Sequence, residues 1–353
     1  MRVALRDLIF LTAGICLAVF PYLLLTSSST CGTMYSKIYN SVAKIDSSWI
    51  LPSPEIQSAP LNTANEFVSD LLFKNVRIFC FIINTKNGTE LKAIHVNATW
   101  AKRCNKHVFV SALEEYDLPT LDLGLSENRS ALFPKVVGTL KHIYKNELEK
   151  FDFFLKADID TYFVMDNLRF LLLPYSRDDA LHFGCRFYHI NQYMSGGAGY
   201  VFSREAVRLS VEKGFSKIKQ CGASARVGED IEIGACMNAL NVTAVDTRDS
   251  QGRHRFMPFS PMTHLIPGPT PPDHKQYFHY NYTQGADCCS DYIVSFHYVT
   301  SPMMYVIDTF LHRFRRIGSV DELWAKESRR DGDVISALKR LSSTQMPKDK
   351  EER

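Results

Sequence analysis

Three features that this 353-residue chain lacks exclude several classes of protein. Its 41 basic and 38 acidic residues leave a net charge of only +3, which argues against nucleic acid as its main partner. The sequence shows no internal repeat, so a repeat architecture is not expected. No two of the nine cysteines form a Cys-x-x-Cys pair, which argues against a structural zinc site.

One long apolar run is present, at the amino terminus. Residues 8–25 carry no charge, and as a helix these 18 residues would span roughly 27 Å, enough for a thin bilayer. Because Arg2 and Arg6 precede the run, residues 1–7 are expected in the cytosol and everything after the run in a lumen. A cleaved signal peptide is the alternative, but we favour a single-pass type II signal anchor.

The remainder divides by composition. Residues 26–74 are rich in Ser, Thr, Asn and Pro and are predicted to form a stem, and residues 317–353 form a charged tail with one short helix. Residues 75–316 are predicted to be the globular domain. In a lumen, Asn-x-Ser/Thr sequons become candidate glycosylation sites: Asn87, Asn97, Asn128, Asn241 and Asn281.

An oxidising lumen also favours disulfides. We predict that Cys80 pairs with Cys104 and Cys221 with Cys236. The neighbours Cys288 and Cys289 could form a ring with each other or two separate bridges.

The globular part alternates strand and helix. The apolar runs 76–83, 107–110 and 153–155 have strand length and are expected in a covered parallel sheet. Residues 90–102 and 133–151 carry apolar side chains at helical spacing. This succession predicts an α/β fold.

Two carboxylates lie close together where the third predicted strand ends. Asp158 and Asp160 follow the run 153–155 and are one residue apart. Because open α/β sheets bind ligands at the carboxyl ends of their strands, the pair could hold a hard divalent cation and, through it, a diphosphate. Since Asp-x-Asp also occurs in ordinary solvated turns, the pattern needs support from other segments.

Three further segments supply candidate residues, each with a structural alternative. The glycines of 194–200 would let a ligand approach the backbone, or would only form a tight turn before a strand. Glu229 and Asp230 open a predicted helix, where acids can also simply complement the helix dipole. The run 291–299 is predicted to be a strand carrying His297, a possible ligand or a structural histidine.

Taken together, these segments occur in the order found in one family. The matching segments are 99–104, 154–162, 193–200, 228–234 and 288–299. In them the chain resembles the inverting β1,3-glycosyltransferases that include fringe, over about residues 75–316. The sequences Cys-Cys-Ser-Asp and Ser-Phe-His-Tyr-Val in 288–299 favour the core 1 β1,3-galactosyltransferase branch.

The resemblance implies a GT-A fold, a Rossmann-like mixed sheet flanked by helices, in which Mn²⁺ holds the diphosphate of a UDP-sugar. It implies inverting transfer of galactose from UDP-galactose to GalNAc-Ser/Thr of a glycoprotein acceptor, making the core 1 O-glycan. It also implies a homodimer anchored in the Golgi membrane with its catalytic domain in the lumen.

Site residues follow from the resemblance at matching positions. Asp230 would be the general base, and Asp158, Asp160 and His297 the metal ligands. The residues expected at the UDP-sugar are Arg103, Lys135, Asp158 and Asp160. The residues expected at the acceptor are Gly197, Tyr200, Glu229, Tyr280 and Tyr282.

The sequence departs from the family pattern at several places. Ile159 replaces the middle residue of the usual Asp-Asp-Asp, Cys185 replaces an Arg, and Phe133 replaces a Trp. The aromatic stretch 276–282 lacks both usual tryptophans, which bears on acceptor choice. Two alternatives to the core 1 enzyme therefore stay open: a β1,3-glycosyltransferase with another donor or acceptor, and a non-catalytic relative similar to the chaperone of the core 1 enzyme.

Overall fold

The computed structural model describes residues 63–84, 90–111, 118–188, 192–222, 228–268, 276–314 and 334–347. The predicted cytoplasmic tail, the signal anchor, most of the stem and Asn87 lie outside these residues. Among the described residues, no helix has the length and apolarity needed to cross a bilayer.

Twelve strands are found in the described part of the chain. They are β1 Ile78–Ile83, β2 Lys106–Val110, β3 Thr120–Leu121, β4 Phe153–Asp158, β5 Tyr162–Phe163, β6 Leu181–Gly184, β7 Arg186–Tyr188, β8 Gln192–Met194, β9 Tyr200–Ser203, β10 Thr243–Ala244, β11 Phe256–Met257 and β12 Ser295–Phe296. The described α-helices are α1 Thr63–Asn75, α2 Glu90–Ala98, α3 Leu132–Asn146, α4 Met165–Leu172, α5 Arg204–Leu209, α6 Glu229–Ala239, α7 Pro261–Leu265, α8 Ser301–His312 and α9 Val334–Thr344.

The central sheet has seven strands in the order β10-β6-β9-β4-β1-β2-β3. Strand β9 runs antiparallel to both of its neighbours, and the other pairs are parallel. Side chains of β1 alternate between two apolar cores, since Ile82 packs in the core with Trp100 and Phe81 in the core with Leu140. A strand buried on both faces explains why its sequence is continuously apolar. The predicted α/β class is confirmed, as a mixed sheet flanked by helices that is consistent with GT-A.

A three-stranded sheet in the order β11-β12-β5 lies beyond the end of β4. Strand β12 pairs antiparallel with β5, and the amide of Val299 donates to the carbonyl of Asp160 at 2.8 Å. The prediction of a long strand over 291–299 is wrong in length, since the strand is only Ser295–Phe296. It cannot extend through Tyr298, whose φ of 51° is left-handed. The small sheet nevertheless brings the segment after β12 to the end of β4.

Three disulfides join Cys80 to Cys104, Cys221 to Cys236 and Cys288 to Cys289. The two predicted pairs are therefore confirmed, and the adjacent cysteines form a ring. Of the sequon asparagines in the described residues, Asn128, Asn241 and Asn281 are exposed. Asn97 is half-buried, with its side-chain oxygen 2.7 Å from Nε2 of His107.

Helices from both flanking segments pack on the central domain. In α1, which falls within the predicted stem, Leu72 is buried in the core and Ser69 donates to Asp166 at 2.9 Å. In α9, within the predicted tail, Leu338 and Leu341 join the same core. The apolar core thus draws on side chains outside the range 75–316.

Candidate active site

A cleft of about 820 Å³ opens where β4 ends. Its walls include the end of β4, the glycine loop 195–199 between β8 and β9, the start of α6, and the segments that follow β11 and β12. Arg129, Ser130 and Leu132, just before and at the start of α3, line it as well. Asp158, Asp230 and His297 all line it. Because these segments are distant in sequence, the cleft exists only in the folded sheet.

Asp158, Asp160 and His297 form a cluster on one side of the cleft. One potential ligand atom from each lies within 4.8 Å of the others, so the three could hold a metal ion. Nε2 of His297 is 3.2 Å from Oδ1 of Asp160, while Nδ1 faces the carbonyl of Pro258 at 3.1 Å. Burial by itself would raise the pKa of Asp160, but the hydrogen bond from His297 and the positive charges of His297 and Lys92 together lower that pKa.

The glycine loop lies directly against this cluster. A Cβ placed on Gly197 would come within 2.2 Å of the imidazole ring of His297. The loop is held in place because Thr161 donates to the carbonyl of Gly197 at 2.8 Å and Ser295 to that of Ala198 at 2.7 Å. Gly199 has a φ of 76°, which favours glycine. The close approach to His297 therefore explains why position 197 has no side chain.

Two carboxylates at the start of α6, Glu229 and Asp230, also line the cleft. Oδ2 of Asp230 accepts from the amide of Gly196 at 2.8 Å, and Oδ1 accepts from the amide of Ile231 at 3.0 Å. Burial raises the pKa of Asp230 although these bonds oppose the shift. Burial likewise raises the pKa of Glu229, to about 7. Asp230 is thus a fixed and unusually basic carboxylate.

Lys156 contacts both Asp158, from the cluster suited to a metal, and Glu229 at the start of α6. Its side chain is 2% exposed, and Nζ lies 2.8 Å from Oδ1 of Asp158, 3.3 Å from Oε2 of Glu229 and 3.2 Å from the carbonyl of Gly196. Burial would lower the pKa of Lys156, but Asp158 and Glu229 outweigh it and leave that pKa raised. The hydroxyl of Tyr200 donates to the other oxygen of Glu229.

Aromatic side chains form the remaining wall. They are Phe187, Tyr193, Phe259, Tyr277 and Tyr298. The rings of Phe187 and Tyr277 are stacked, with their centroids 5.8 Å apart. Flat apolar faces beside polar groups suit the apolar face of a sugar ring.

Several predicted site residues lie elsewhere. Arg103 donates to Asp308 at 2.6 Å, and Lys135 is buried with Nζ 2.8 Å from the carbonyl of Asn84. The guanidinium of Arg248 lies 3.6 Å from the centre of the Tyr280 ring. The hydroxyl of Tyr282 lies 2.8 Å from Nδ1 of His264, and its ring stacks on Phe278. The structure does not bring these four residues into the cleft, so their binding roles remain predictions. Tyr200, also predicted to contact the acceptor, is fully buried and does not line the cleft, because its ring packs in the core and its hydroxyl is bonded to Glu229.

Sequence reasoning missed Lys156, Phe187 and Tyr277. A lysine inside an otherwise apolar strand is unusual and could have marked Lys156 as the partner of buried acids. The alternation of Phe278, Tyr280 and Tyr282 leaves Tyr277 outside the aromatic pattern, so periodicity does not single it out.

The chain belongs to the Fringe-like family, whose profile matches residues 76–254. The assignment agrees with the mixed sheet and with the acidic cleft at its strand ends.

Among curated proteins, the chain is similar to glycoprotein-N-acetylgalactosamine 3-beta-galactosyltransferase 1 of Xenopus laevis. The two are 39% identical over 258 residues, which is 71% of this chain and 70% of the relative. Beta-1,3-glucosyltransferase of Mus musculus is 28% identical over 179 residues, 49% of this chain and 35% of that protein. Its Homo sapiens counterpart is 26% identical over 178 residues, with the same coverage.

Proposed function

We propose that the chain is an inverting β1,3-galactosyltransferase that transfers galactose from UDP-galactose to GalNAc-Ser/Thr of glycoproteins. The observation that carries the proposal is the cleft itself, which combines a cluster suited to a metal with a carboxylate, Asp230, whose two oxygens are fixed by backbone amides. The 39% identity to a protein with this activity in its name supports the donor and acceptor.

The donor set suits Mn²⁺. Two carboxylates and an imidazole form a mixed oxygen and nitrogen set of the kind that manganese accepts. Asp158, Asp160 and His297 would hold the ion. When bound, it would supply Lewis-acid neutralisation of the charge that develops on the departing UDP.

Asp230 would act as the general base. Inversion requires one base on the side opposite the departing UDP, to take the proton from the acceptor's 3-hydroxyl as that oxygen attacks C1 of galactose. The amides of Gly196 and Ile231 fix both oxygens of Asp230, and burial makes the carboxylate more basic. A base held in this way typically contributes about 10² to 10⁴ in rate.

The aromatic wall would receive the acceptor. Tyr277 and Phe187 stack on each other at its rim, and Tyr298 is 58% exposed beside His297. Stacking on such rings would orient the sugar with its 3-hydroxyl toward Asp230. Tyr277 is therefore the member of the aromatic stretch that we assign to acceptor binding.

The proposed setting is the Golgi lumen. It is supported by the apolar run 8–25 with basic residues before it and by the three disulfides. Disulfides are typical of proteins in an oxidising compartment.

A donor-by-acceptor panel tests the function. Residues 30–353 would be assayed with Mn²⁺, four UDP-hexoses and acceptors that include GalNAc-peptide, with release of UDP and glycan product both measured. We expect galactose transfer to GalNAc-peptide and loss of that transfer in EDTA. Transfer of another hexose, or to another acceptor, would replace the proposed substrates.

Asp230→Asn is the matched control for catalysis. It preserves the shape of the side chain and removes its basicity, so UDP binding should persist while transfer falls. A parent protein that binds UDP and transfers nothing from any donor would instead indicate a non-catalytic relative.

A further inference from the structure

Lys156 is a buried cation whose role the proposed reaction does not yet include. It lies on β4 two residues before Asp158, and its side chain is almost fully enclosed. Its three contacts go to three separate elements: Asp158 at the end of β4, Gly196 in the glycine loop, and Glu229 at the start of α6. Asp158 and Gly196 accept hydrogen bonds from the ammonium, and Glu229 forms an ion pair with it.

These contacts connect the cluster suited to a metal with the proposed base. Gly196 accepts from Lys156 through its carbonyl and donates to Asp230 through its amide. Lys156 also holds one oxygen of Asp158, which restricts how that carboxylate can turn. A displacement of the ammonium would therefore alter both sides of the cleft.

Lys156 also offsets negative charge. Asp158 and Glu229 contact it directly, at 2.8 and 3.3 Å. The ring of Tyr200 faces the ammonium at 5.4 Å. Carboxylates this close together in a buried site repel one another unless a cation lies between them.

We propose that Lys156 is a positioning residue that fixes Asp158, the glycine loop and Asp230 in one arrangement, and that its charge lowers the affinity for the metal ion. The inference rests on the proposed function. Tethering assists transfer, whereas a positive charge bonded to a metal ligand opposes a second cation at the same ligand. Removing Lys156 should therefore slow turnover and tighten metal binding.

The test uses Lys156→Met, which keeps a long unbranched side chain and removes its charge. Binding of Mn²⁺ alone would be followed by the electron paramagnetic resonance of the free ion. Coulomb repulsion between the ammonium and a divalent ion a few ångströms away predicts a dissociation constant lower than in the parent by at least about tenfold. Loss of a partner that orients a metal ligand predicts a kcat roughly 10- to 100-fold lower.

Two variants separate the charge from other effects. Lys156→Gln retains a hydrogen-bond donor but no charge. It should bind Mn²⁺ more tightly than the parent and lose less turnover than Lys156→Met. It replaces Lys156→Met in the test if that variant does not fold. Arg204→Met removes another buried cation, which donates to the carbonyl of Phe151 at the opposite end of β4. This control should lower Tm and leave Mn²⁺ affinity unchanged.

Tighter Mn²⁺ binding together with slower turnover supports the proposal. If Mn²⁺ affinity, kcat and Tm all fall together, Lys156 has only a structural role and the proposal is overturned. Unchanged affinity and turnover would overturn it as well. Failure of the proposed function is distinguishable, because it appears in the parent as absence of both Mn²⁺ binding and sugar transfer.

Discussion

Gly197→Ala should disable the metal cluster by displacing His297. The added Cβ would lie 2.2 Å from Cε1 and Nδ1 of the imidazole, whereas carbon atoms in contact normally lie about 3.5 to 4 Å apart. The ring would have to withdraw by more than about 1 Å, and metal ligands tolerate only about 0.2 Å. The contacts of Nδ1 with Pro258 and of Nε2 with Asp160 would be disturbed by the same movement.

The expected result is a loss of Mn²⁺-dependent UDP binding. Disturbing the partner of a metal ligand typically costs about 10- to 100-fold in affinity, and displacing a ligand should cost at least as much. Calorimetric titration of UDP, with Mn²⁺ and with EDTA, would measure it. Gly268→Ala is the matched control, because a Cβ at Gly268 meets nothing within 4 Å.

A double-mutant cycle identifies the route of the effect. If Gly197→Ala acts through the imidazole, it should cause no further loss in a His297→Ala background. Full UDP affinity in Gly197→Ala, or equal losses in both backgrounds, would refute the argument.

Three further predictions concern separate parts of the molecule. Asp230→Asn should lower kcat by about 10² to 10⁴ with little change in UDP affinity, and unchanged turnover would remove Asp230 as the base. Folding raises the pKa of Glu229 from 4.5 to about 7, so the folded state binds the proton more tightly than the unfolded state does. The free energy of unfolding should therefore fall as the pH rises from about 4.5 to 7. Glu229→Gln should remove about 3 kcal/mol of this pH dependence, measured by urea unfolding at several pH values in EDTA. If the free energy of unfolding varies with pH equally in the parent and the variant, the raised pKa of Glu229 is contradicted. Replacing Cys80 and Cys104 with Ala should cost about 3 to 4 kcal/mol of stability, because the bridge spans 24 positions, and an unchanged Tm would contradict this.

The sequence was sufficient for features that depend on local pattern. Continuous apolar runs indicated β1, β2 and β4, because a strand covered on both faces has no polar side to alternate. The grouping of Asp158, Asp160, His297 and Asp230 followed from family motifs. The structure brings Asp158, His297 and Asp230 to one cleft with Asp160 beside His297, and their roles remain predictions.

Other features depend on contacts that no local pattern encodes. Strand β9 inserts antiparallel beside β4, so the glycine loop reaches the cleft by a sheet pairing that periodicity cannot reveal. The aromatic stretch 276–282 has irregular backbone, which is why Tyr277 lines the cleft while Tyr282 turns into the core. The partners of Lys156 likewise come from segments far along the chain.

The packing of α9 affects how changes late in the reading frame should be interpreted. Leu338 and Leu341 are core residues, the hydroxyl of Ser342 donates to the carbonyl of Phe170, and the carbonyl of Gln345 accepts from Arg255. A premature stop codon shortly before Val334 would leave every candidate catalytic residue intact. It would still expose apolar surface and remove the hydrogen-bond partners of Phe170 and Arg255. The truncated protein is therefore expected to be degraded, so that low activity would reflect low abundance and not a defective active site.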